Sequence, residues 1–305
     1  EQEGVGYYQA TQKDGQRCSA ARAFLHPVID RTNLTVITEA KVARVLLSSN
    51  RAVGIEFHHK GILQKITANK EVILSAGSFG SPQLLMLSGI GPEKELKQHN
   101  IPLKHPLSGV GENLQEHIDI VSVTKSTKAV TIALRPIAML KMIKETFLYL
   151  TKRRGFLSST FVETGGFIKS DESLESPDLQ LQFIPGAMDD HGRNFGMLFN
   201  YGFSLHNCLL RPKSRGRVSL YSADYKQDPK IELNMLSHPD DLKAMIKAVR
   251  INQNIFSQAA FAHCRGESIF PSPDTQTDEE IAEFIREKSN HVYHPVGTCK
   301  MGHDD

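Results

Sequence analysis

A run of small residues between a strand pattern and a helix pattern constrains the fold of this 305-residue chain more than any other feature. Short β-rich runs separated by turn residues extend from Leu34 to Leu74, and they predict strands joined by tight turns. Ser75-Ala76-Gly77-Ser78 follows, and an apolar run then leads to Gly89. This order predicts a helix that is capped by Ser81, has Pro82 in its first turn and ends at Gly89.

The bend before this helix has two interpretations. Helix-start N–H groups beside small residues let an anionic or planar ligand approach the backbone closely. The same pattern also suits a helix that is packed tightly on a sheet. The residues alone leave both interpretations open.

The pattern changes beyond Gly109-Val110-Gly111. Residues Ile118 to Thr124 alternate like a strand, and further strand-like runs recur as far as Leu220. They predict a second, largely antiparallel sheet, so that the fold class combines α/β with α+β. Apolar residues at near-helical spacing from Ile137 to Leu150 predict a helix with one buried face.

Composition excludes several classes of protein. The chain has 36 Lys and Arg against 34 Asp and Glu, so no strong field favours a nucleic acid partner. No apolar stretch approaches the roughly 20 residues that cross a bilayer. The four cysteines lie far apart in the sequence and show no metal-ligand spacing, so no metal site is predicted. Free thiols in a reducing compartment are the favoured interpretation, which predicts a cytoplasmic protein.

His294 is the candidate for proton transfer. It lies in a bend after a helix that is predicted to end near Ser289, and Pro295 excludes the regular helix that would align it with His291 as a metal ligand. Imidazole is the side chain best suited to take a proton near neutral pH. A structural histidine is the alternative. The chain shows no complete GxGxxG fingerprint, nucleophile elbow or Walker motif.

Two segments together resemble a known family. Gly77 to Gly91 is similar to the second signature of the glucose-methanol-choline (GMC) oxidoreductases, and Val292 to Gly302 resembles their active-site histidine segment. Gly109 to His117 also resembles the family's domain-crossing stretch. The resemblance covers essentially the whole chain.

The resemblance implies a discontinuous FAD-binding domain and a substrate domain with an antiparallel sheet flanked by helices. Residues 1–110 and 286–305 would belong to the first domain, and residues 111–285 to the second. It also implies that the chain is a fragment without the N-terminal FAD fingerprint and the extreme C-terminus, where a second catalytic residue lies. The isolated chain is therefore expected to be colourless and inactive, and the full-length enzyme to bind FAD.

The activity implied by the resemblance is oxidation of an alcohol to an aldehyde, with hydride transfer to flavin N5 and His294 as the base. Ala76, Gly77, Ser78 and Pro295 match positions beside the cofactor, and Val42 matches a backbone contact to its adenine. An ordinary strand residue is the alternative for Val42. An inactive structural or binding fragment is the non-enzymatic alternative.

Asp119 and Gln182 are the candidate substrate residues. Asp119 matches a carboxylate of choline-type members, but Gln182 stands where a histidine is expected, and the chain has no Trp to face a quaternary ammonium. A primary aliphatic alcohol is therefore the favoured substrate, with choline as the alternative.

The stretch from Lys125 to Arg154 carries eight basic residues and the single acid Glu145. A solvated helix face is the simpler interpretation. The alternative is peripheral contact with the inner face of an anionic membrane, where a quinone would serve as electron acceptor.

Overall fold

The computed structural model describes residues 3–302, which divide into two compact units. The first unit comprises the residues up to Arg31, His117–Pro212 and His238–Val292. The second unit comprises Thr32–Glu116, Lys213–Ser237 and the residues from Tyr293 onward. The predicted domain division at residues 110 and 286 stays a prediction.

The described residues form strands and helices of very unequal length. In chain order, the strands are β1 (Gly4–Tyr7), β2 (Gln12–Lys13), β3 (Gln16–Arg17), β4 (Lys41–Ser48), β5 (Arg51–His59), β6 (Ile62–Thr67), β7 (Ile90–Gly91), β8 (His105–Pro106), β9 (Ile118–Ser126), β10 (Thr164–Ile168), β11 (Leu179–Ile184), β12 (Gly202–Leu209), β13 (Arg217–Ser219), β14 (Lys230–Glu232), β15 (Arg265–Phe270) and β16 (Asn290–His291). The α-helices are α1 (Gly77–Leu87), α2 (Glu93–Gln98), α3 (Pro136–Lys152), α4 (Pro239–Ser257) and α5 (Asp278–Lys288). Short helical turns cover Ala21–Leu25, His26–Val28, Phe156–Ser158, Asp190–Gly192, Phe195–Phe199 and Ala259–Phe261.

The first unit is built on an antiparallel sheet of seven strands among the described residues. Their order is β1-β10-β11-β12-β9-β15, and β16 also pairs with β9. Helix α4 packs on β9 and β12, and α5 packs on β9. The predicted second, antiparallel sheet with flanking helices is confirmed. The placement of its last predicted strand is wrong, because the run Arg217 to Leu220 forms β13, which pairs with β14 in a separate two-stranded sheet.

Alternating side chains give this sheet two different faces. One face carries Leu181, Phe203 and Leu205, and all three are buried. They pack with Phe256 of α4, whose ring lies edge-on to Phe203 at a centroid distance of 5.0 Å. Because burial of one large apolar side chain stabilises a fold by about 1.5–3 kcal/mol, this face and α4 form the core of the unit.

The second unit contains the antiparallel meander β4-β5-β6, against which α1 packs. Its apolar core joins α1 and α2 to later segments of the chain and consists of Met86, Leu96, Val110 and Leu220. The predicted strands over residues 42–47, 53–57 and 62–67 correspond to β4, β5 and β6.

Two of the predicted strands are wrong. The runs Leu34 to Thr38 and Val72 to Leu74 have no strand assignment. β-propensity describes how a residue suits a paired, half-buried surface, so a β-rich run forms a strand only where a neighbouring strand pairs with it.

The predicted start of α1 is also wrong. The helix begins at Gly77 and has Ala76 as its N-cap, so Pro82 lies inside it. The Ser81 hydroxyl accepts a hydrogen bond from the Ala76 N–H at 3.1 Å instead of capping a helix at its own position.

Helix α3 forms where it is predicted, but its apolar face is not buried. Leu140, Ile143, Phe147 and Leu150 are each 65–69% exposed. Periodicity shows that a helix has an apolar face but not what covers that face.

Membrane spans and metal clusters are both absent from the part of the chain that the structure describes. None of the helices between residues 3 and 302 is both long and apolar enough to cross a membrane. Over the same residues, no group of three or more His, Cys, Asp or Glu side chains is arranged to hold a metal ion.

Replacement of Gly111 by alanine is predicted to lower the free energy of unfolding more than the same replacement of Gly61, which has a similar φ. The φ of Gly111 is +86°, and a Cβ there would overlap the carbonyl oxygen of Val218. Gly61 has a φ of +82° with nothing within 4 Å of that position. We expect Gly61→Ala to cost about 1–2 kcal/mol, the usual cost of the left-handed conformation, and Gly111→Ala at least about 2 kcal/mol more. Urea unfolding measures both, and equal losses would contradict the close packing at Gly111.

Candidate functional site

The start of α1 and the segment after His294 are joined by two hydrogen bonds of the Ser78 residue. The Ser78 hydroxyl donates to the carbonyl of Pro295, and the Thr298 hydroxyl donates to the carbonyl of Ser78 at 2.6 Å. The Ser78 carbonyl is available for the second bond because Pro82, four residues later in α1, has no N–H to donate to it. Pro82 thus makes the first turn of α1 able to hold the histidine segment.

The stretch Asn113–Glu116 binds the other side of the same segment. Gln115 and Val296 exchange both of their backbone hydrogen bonds at 2.9 Å. The Asn113 amide donates to the Gly297 carbonyl at 3.1 Å. The His294 N–H donates to both oxygens of the Glu116 carboxylate, at 3.0 and 2.9 Å.

These contacts fix the backbone of His294 and leave the residue exposed. Glu116 is only 4% exposed, so its charge is largely removed from water. The preceding residue, Tyr293, has a φ of +64° and turns the chain sharply before His294. The result is an imidazole at the surface of the second unit on a backbone that is held on two sides.

The other predicted cofactor residues lie in the same unit. Ala76 and Gly77 are exposed, and Gly77 has a φ of +74° with no heavy atom within 4 Å of the place where a Cβ would lie. Val42 is half-buried in β4, opposite Phe57, beside an irregularity in the strand register. Ser78 and Pro295 are in direct contact, whereas Val42 shares no hydrogen bond with them that the structure shows.

The two predicted substrate residues lie on the polar face of the sheet in the first unit. The Asp119 carboxylate contacts Nδ1 of His206 at 2.7 Å and accepts from the Cys208 thiol at 3.5 Å. The Gln182 amide reaches the Cys208 sulfur at 3.8 Å. Asp119 and Gln182 are therefore linked through Cys208 in one polar network.

The pair of Asp119 and His206 is almost completely buried, with 3% and 6% exposed. Burial opposes the charge of the imidazole, but the attraction of Asp119 and, more weakly, of Asp189 outweighs burial and raises the pKa of His206 above its ordinary value. A cavity of about 320 Å³ adjoins the pair and is lined also by Asp190, Arg193, Glu287 and Lys288.

Sequence reasoning missed Glu116 and His206. Glu116 lies within the stretch that resembles the domain-crossing segment, next to His117, and His206 lies within a strand-like run. Neither position shows its partner in the sequence, because the partners are 178 and 87 residues away. The catalytic, cofactor and substrate roles of the predicted residues stay predictions.

Comparisons with known proteins give a consistent result. Models of the GMC oxidoreductase family match residues 1–119 and 212–305. The chain is 46% identical over 305 residues to an alcohol dehydrogenase [acceptor] of Pseudomonas putida, covering 99% of this chain and 55% of that protein. It is 40% identical over 304 residues to the mitochondrial choline dehydrogenase of Homo sapiens, covering 99% of this chain and 50% of that protein.

The fold agrees with these relatives. The crystal structure of formate oxidase superposes with a TM-score of 0.87 at 26% identity, covering 98% of this chain and 56% of that chain. The chain spans about half the length of the curated relatives that it matches.

Glu116 is predicted to hold the His294 backbone. A hydrogen bond to a charged acceptor contributes about 1.5–3 kcal/mol, so Glu116→Ala is expected to raise amide exchange of the segment around His294 by about tenfold or more. Hydrogen–deuterium exchange read by mass spectrometry on the full-length protein measures this. Glu112→Ala, which removes an exposed acid just before the stretch Asn113–Glu116, is the control and should leave this exchange unchanged. Unaltered exchange in Glu116→Ala would contradict the assignment.

The His206–Asp119 pair predicts a pH-dependent contribution to stability. Since folding raises the pKa of His206, this contribution is complete below its ordinary pKa of about 6.5 and is lost as pH rises through the folded value. Asp119→Asn is therefore expected to lower the free energy of unfolding by about 3 kcal/mol at pH 6 and by clearly less at pH 9.

Urea unfolding of the full-length protein at the two pH values measures this difference. Asp171→Asn is the control, because Asp171 forms an ion pair with Lys247 at the surface of the same unit. Its effect should be small and equal at both pH values. An equal loss for Asp119→Asn at pH 6 and pH 9 would show that the pair does not carry the charge assigned to it.

Proposed function

The chain belongs to the GMC oxidoreductase family, and we propose that the full-length protein is an FAD-dependent enzyme that oxidises an alcohol to an aldehyde. The observation that carries this proposal is the second unit's arrangement of His294. Its backbone is held by Glu116, its neighbour Pro295 is held by Ser78, and the histidine itself is exposed. Such a side chain can meet a substrate without moving its backbone.

The residues present fit an FAD cofactor. At the start of α1, Gly77 leaves open space where any other residue would place a Cβ, and Ala76 offers no side-chain acceptor to the first helical N–H groups. Such a helix start suits an anionic or planar group close to the backbone. Ala76, Gly77, Ser78 and Pro295 would hold the cofactor, with Val42 as a further backbone contact.

Proton removal is the role proposed for His294. When bound, FAD supplies a hydride acceptor for the carbinol carbon. The neutral alcohol is a poor hydride donor and its alkoxide a better one, so an imidazole that takes the hydroxyl proton lowers the barrier. Because both Glu116 oxygens accept from the His294 N–H, the imidazole starts each turnover from the same backbone position.

A primary aliphatic alcohol is the proposed substrate, in preference to choline. A quaternary ammonium needs an available carboxylate or an aromatic face, but Asp119 is buried and already bound by His206 and Cys208. Gln182 adds a neutral amide to the same network. The higher identity to the alcohol dehydrogenase than to the choline dehydrogenase supports the same choice.

The proposal extends to the electron acceptor and the cellular location. The alcohol dehydrogenase of Pseudomonas putida is described as acting with an acceptor, and we extend this to a quinone or another small redox carrier. The four widely separated cysteines support a cytoplasmic protein, which would meet a quinone at the inner membrane face.

His294→Ala in the full-length protein tests the mechanism. Loss of a general base is expected to slow anaerobic flavin reduction by a primary alcohol by at least about 100-fold, with unchanged FAD content. His105→Ala is the control, because His105 is an exposed histidine of the same unit outside the site. Stopped-flow absorbance at the flavin bands measures both. A wild-type rate in His294→Ala would remove this residue from the mechanism.

A further inference from the structure

A polar cavity of about 400 Å³ lies in the first unit between the end of α4, the strands β9 and β15 and the loop that follows β15. Ser122 and Thr124 of β9 line it, and they pair with Leu205 and Phe203 of β12. They therefore lie on the face of the sheet that packs with α4, opposite the polar network of the predicted substrate residues. The cavity is thus a second place in this unit where a small molecule can bind.

The Thr124 hydroxyl is buried without a partner. The residue is 4% exposed, and none of the residues that the structure describes forms a hydrogen bond with this hydroxyl. Valine has nearly the same shape, and β9 carries it at the two neighbouring positions Val121 and Val123. Because a buried hydroxyl that lacks a hydrogen bond lowers stability, its presence in the cavity wall points to a ligand that accepts from it.

Ser122 contributes a second hydroxyl donor, which is oriented from behind. The residue is 2% exposed, and its oxygen accepts a hydrogen bond from the Asn252 amide at 3.1 Å. The same amide nitrogen donates to the Leu205 carbonyl at 3.2 Å, which fixes the orientation of the Asn252 side chain. Because the Ser122 oxygen already accepts a hydrogen bond, its own proton can donate to a ligand in the cavity.

Positive charge lies at the mouth of the cavity. Arg265 is exposed, and its Nη1 donates at 2.8 Å to the Phe256 carbonyl in the last turn of α4, which fixes the guanidinium there. Glu267, the acid of β15, forms an ion pair with Lys125. No Asp or Glu side chain is among the described residues that line the cavity. Two hydroxyl donors and one cation favour a ligand that is rich in acceptors and negatively charged.

We propose that this cavity binds a small organic carboxylate that carries a carbonyl oxygen at its far end. The carboxylate would pair with Arg265 at the exposed mouth, and the carbonyl oxygen would accept from Ser122 and Thr124 at the buried floor. A neutral acceptor suits the floor better than a second charge, because burial of a charge costs far more than burial of a hydrogen-bonded neutral group. The buried side chain of Phe256 provides an apolar wall for the carbon chain between the two ends.

Isothermal titration calorimetry of the full-length protein with 4-oxopentanoate tests the proposal. We expect saturable binding of one molecule per chain. Pentanoate lacks the carbonyl oxygen, and pentan-2-one lacks the charge, so the first should bind about threefold or more weakly and the second about tenfold or more weakly than 4-oxopentanoate. Pentanoate binding as tightly as 4-oxopentanoate would show that the hydroxyl groups bind nothing, which would overturn the proposal.

Two variants test the two ends of the site. Arg265→Gln should weaken binding of 4-oxopentanoate by at least about tenfold, because it removes the charge-assisted bond. Thr124→Val should weaken it about three- to tenfold. Since the hydroxyl lost in Thr124→Val has no partner in the protein, this variant should not lower the Tm of the ligand-free protein. A clearly lowered Tm would indicate a structural role for this hydroxyl and would overturn its assignment to a ligand.

Matched controls come from the same unit. Thr164→Val changes a half-buried threonine of β10 that does not line the cavity. Arg211→Gln changes an exposed arginine that donates to the Ser176 hydroxyl at 2.7 Å. Both controls should bind 4-oxopentanoate like the wild type. Binding that falls as far in these controls as in the cavity variants would overturn the assignment to the cavity.

Two other outcomes would also overturn the proposal. One is the absence of saturable binding up to about 10 mM 4-oxopentanoate. The other is binding that neither Arg265→Gln nor Thr124→Val weakens, because it would place the ligand elsewhere. Thr124→Val and the ligand series keep the test valid if Arg265→Gln does not fold. Binding is measured without turnover, so its result is independent of whether the enzyme oxidises alcohols.

Discussion

The bond between the Glu116 carboxylate and the His294 N–H is the interaction on which the proposed active site depends. It places a largely buried charge against one backbone donor, and the neighbouring pairing of Gln115 with Val296 continues the contact along the chain. On the opposite side, Ser78 and Thr298 join the same segment to the start of α1. A buried carboxylate is stable only when it is paired or hydrogen-bonded, so the stability of this unit and the position of its histidine depend on the same contact.

The first unit shows a similar relation between stability and chemistry. Its sheet has one face that packs with α4 and another that carries the polar network of Asp119, His206 and Cys208. The network satisfies its own charges, so the sheet offers a substrate a polar but nearly neutral surface. This is the physical reason for proposing an uncharged alcohol rather than a quaternary ammonium.

Local patterns predicted part of this structure. The helix that is predicted to end near Ser289 is α5, which ends at Lys288. A capping box of Thr277 and Glu280 begins it, and both of its hydrogen bonds lie within four residues of the chain. The roles of Glu116 and His206 could not be predicted, because each depends on a partner brought close by the fold. The exposed face of α3 was missed for a related reason: periodicity identifies an apolar stripe, but only the tertiary structure shows whether the stripe is covered.

Anaerobic reduction of the bound flavin tests the central proposal most directly. The full-length protein, mixed with butan-1-ol in one experiment and with choline in another, would be followed by absorbance at the flavin bands. We predict rapid bleaching by the primary alcohol and far slower bleaching by choline. Bleaching that is much faster with choline would contradict the proposed substrate, and a protein without flavin, or one whose flavin no alcohol reduces, would contradict the proposed function.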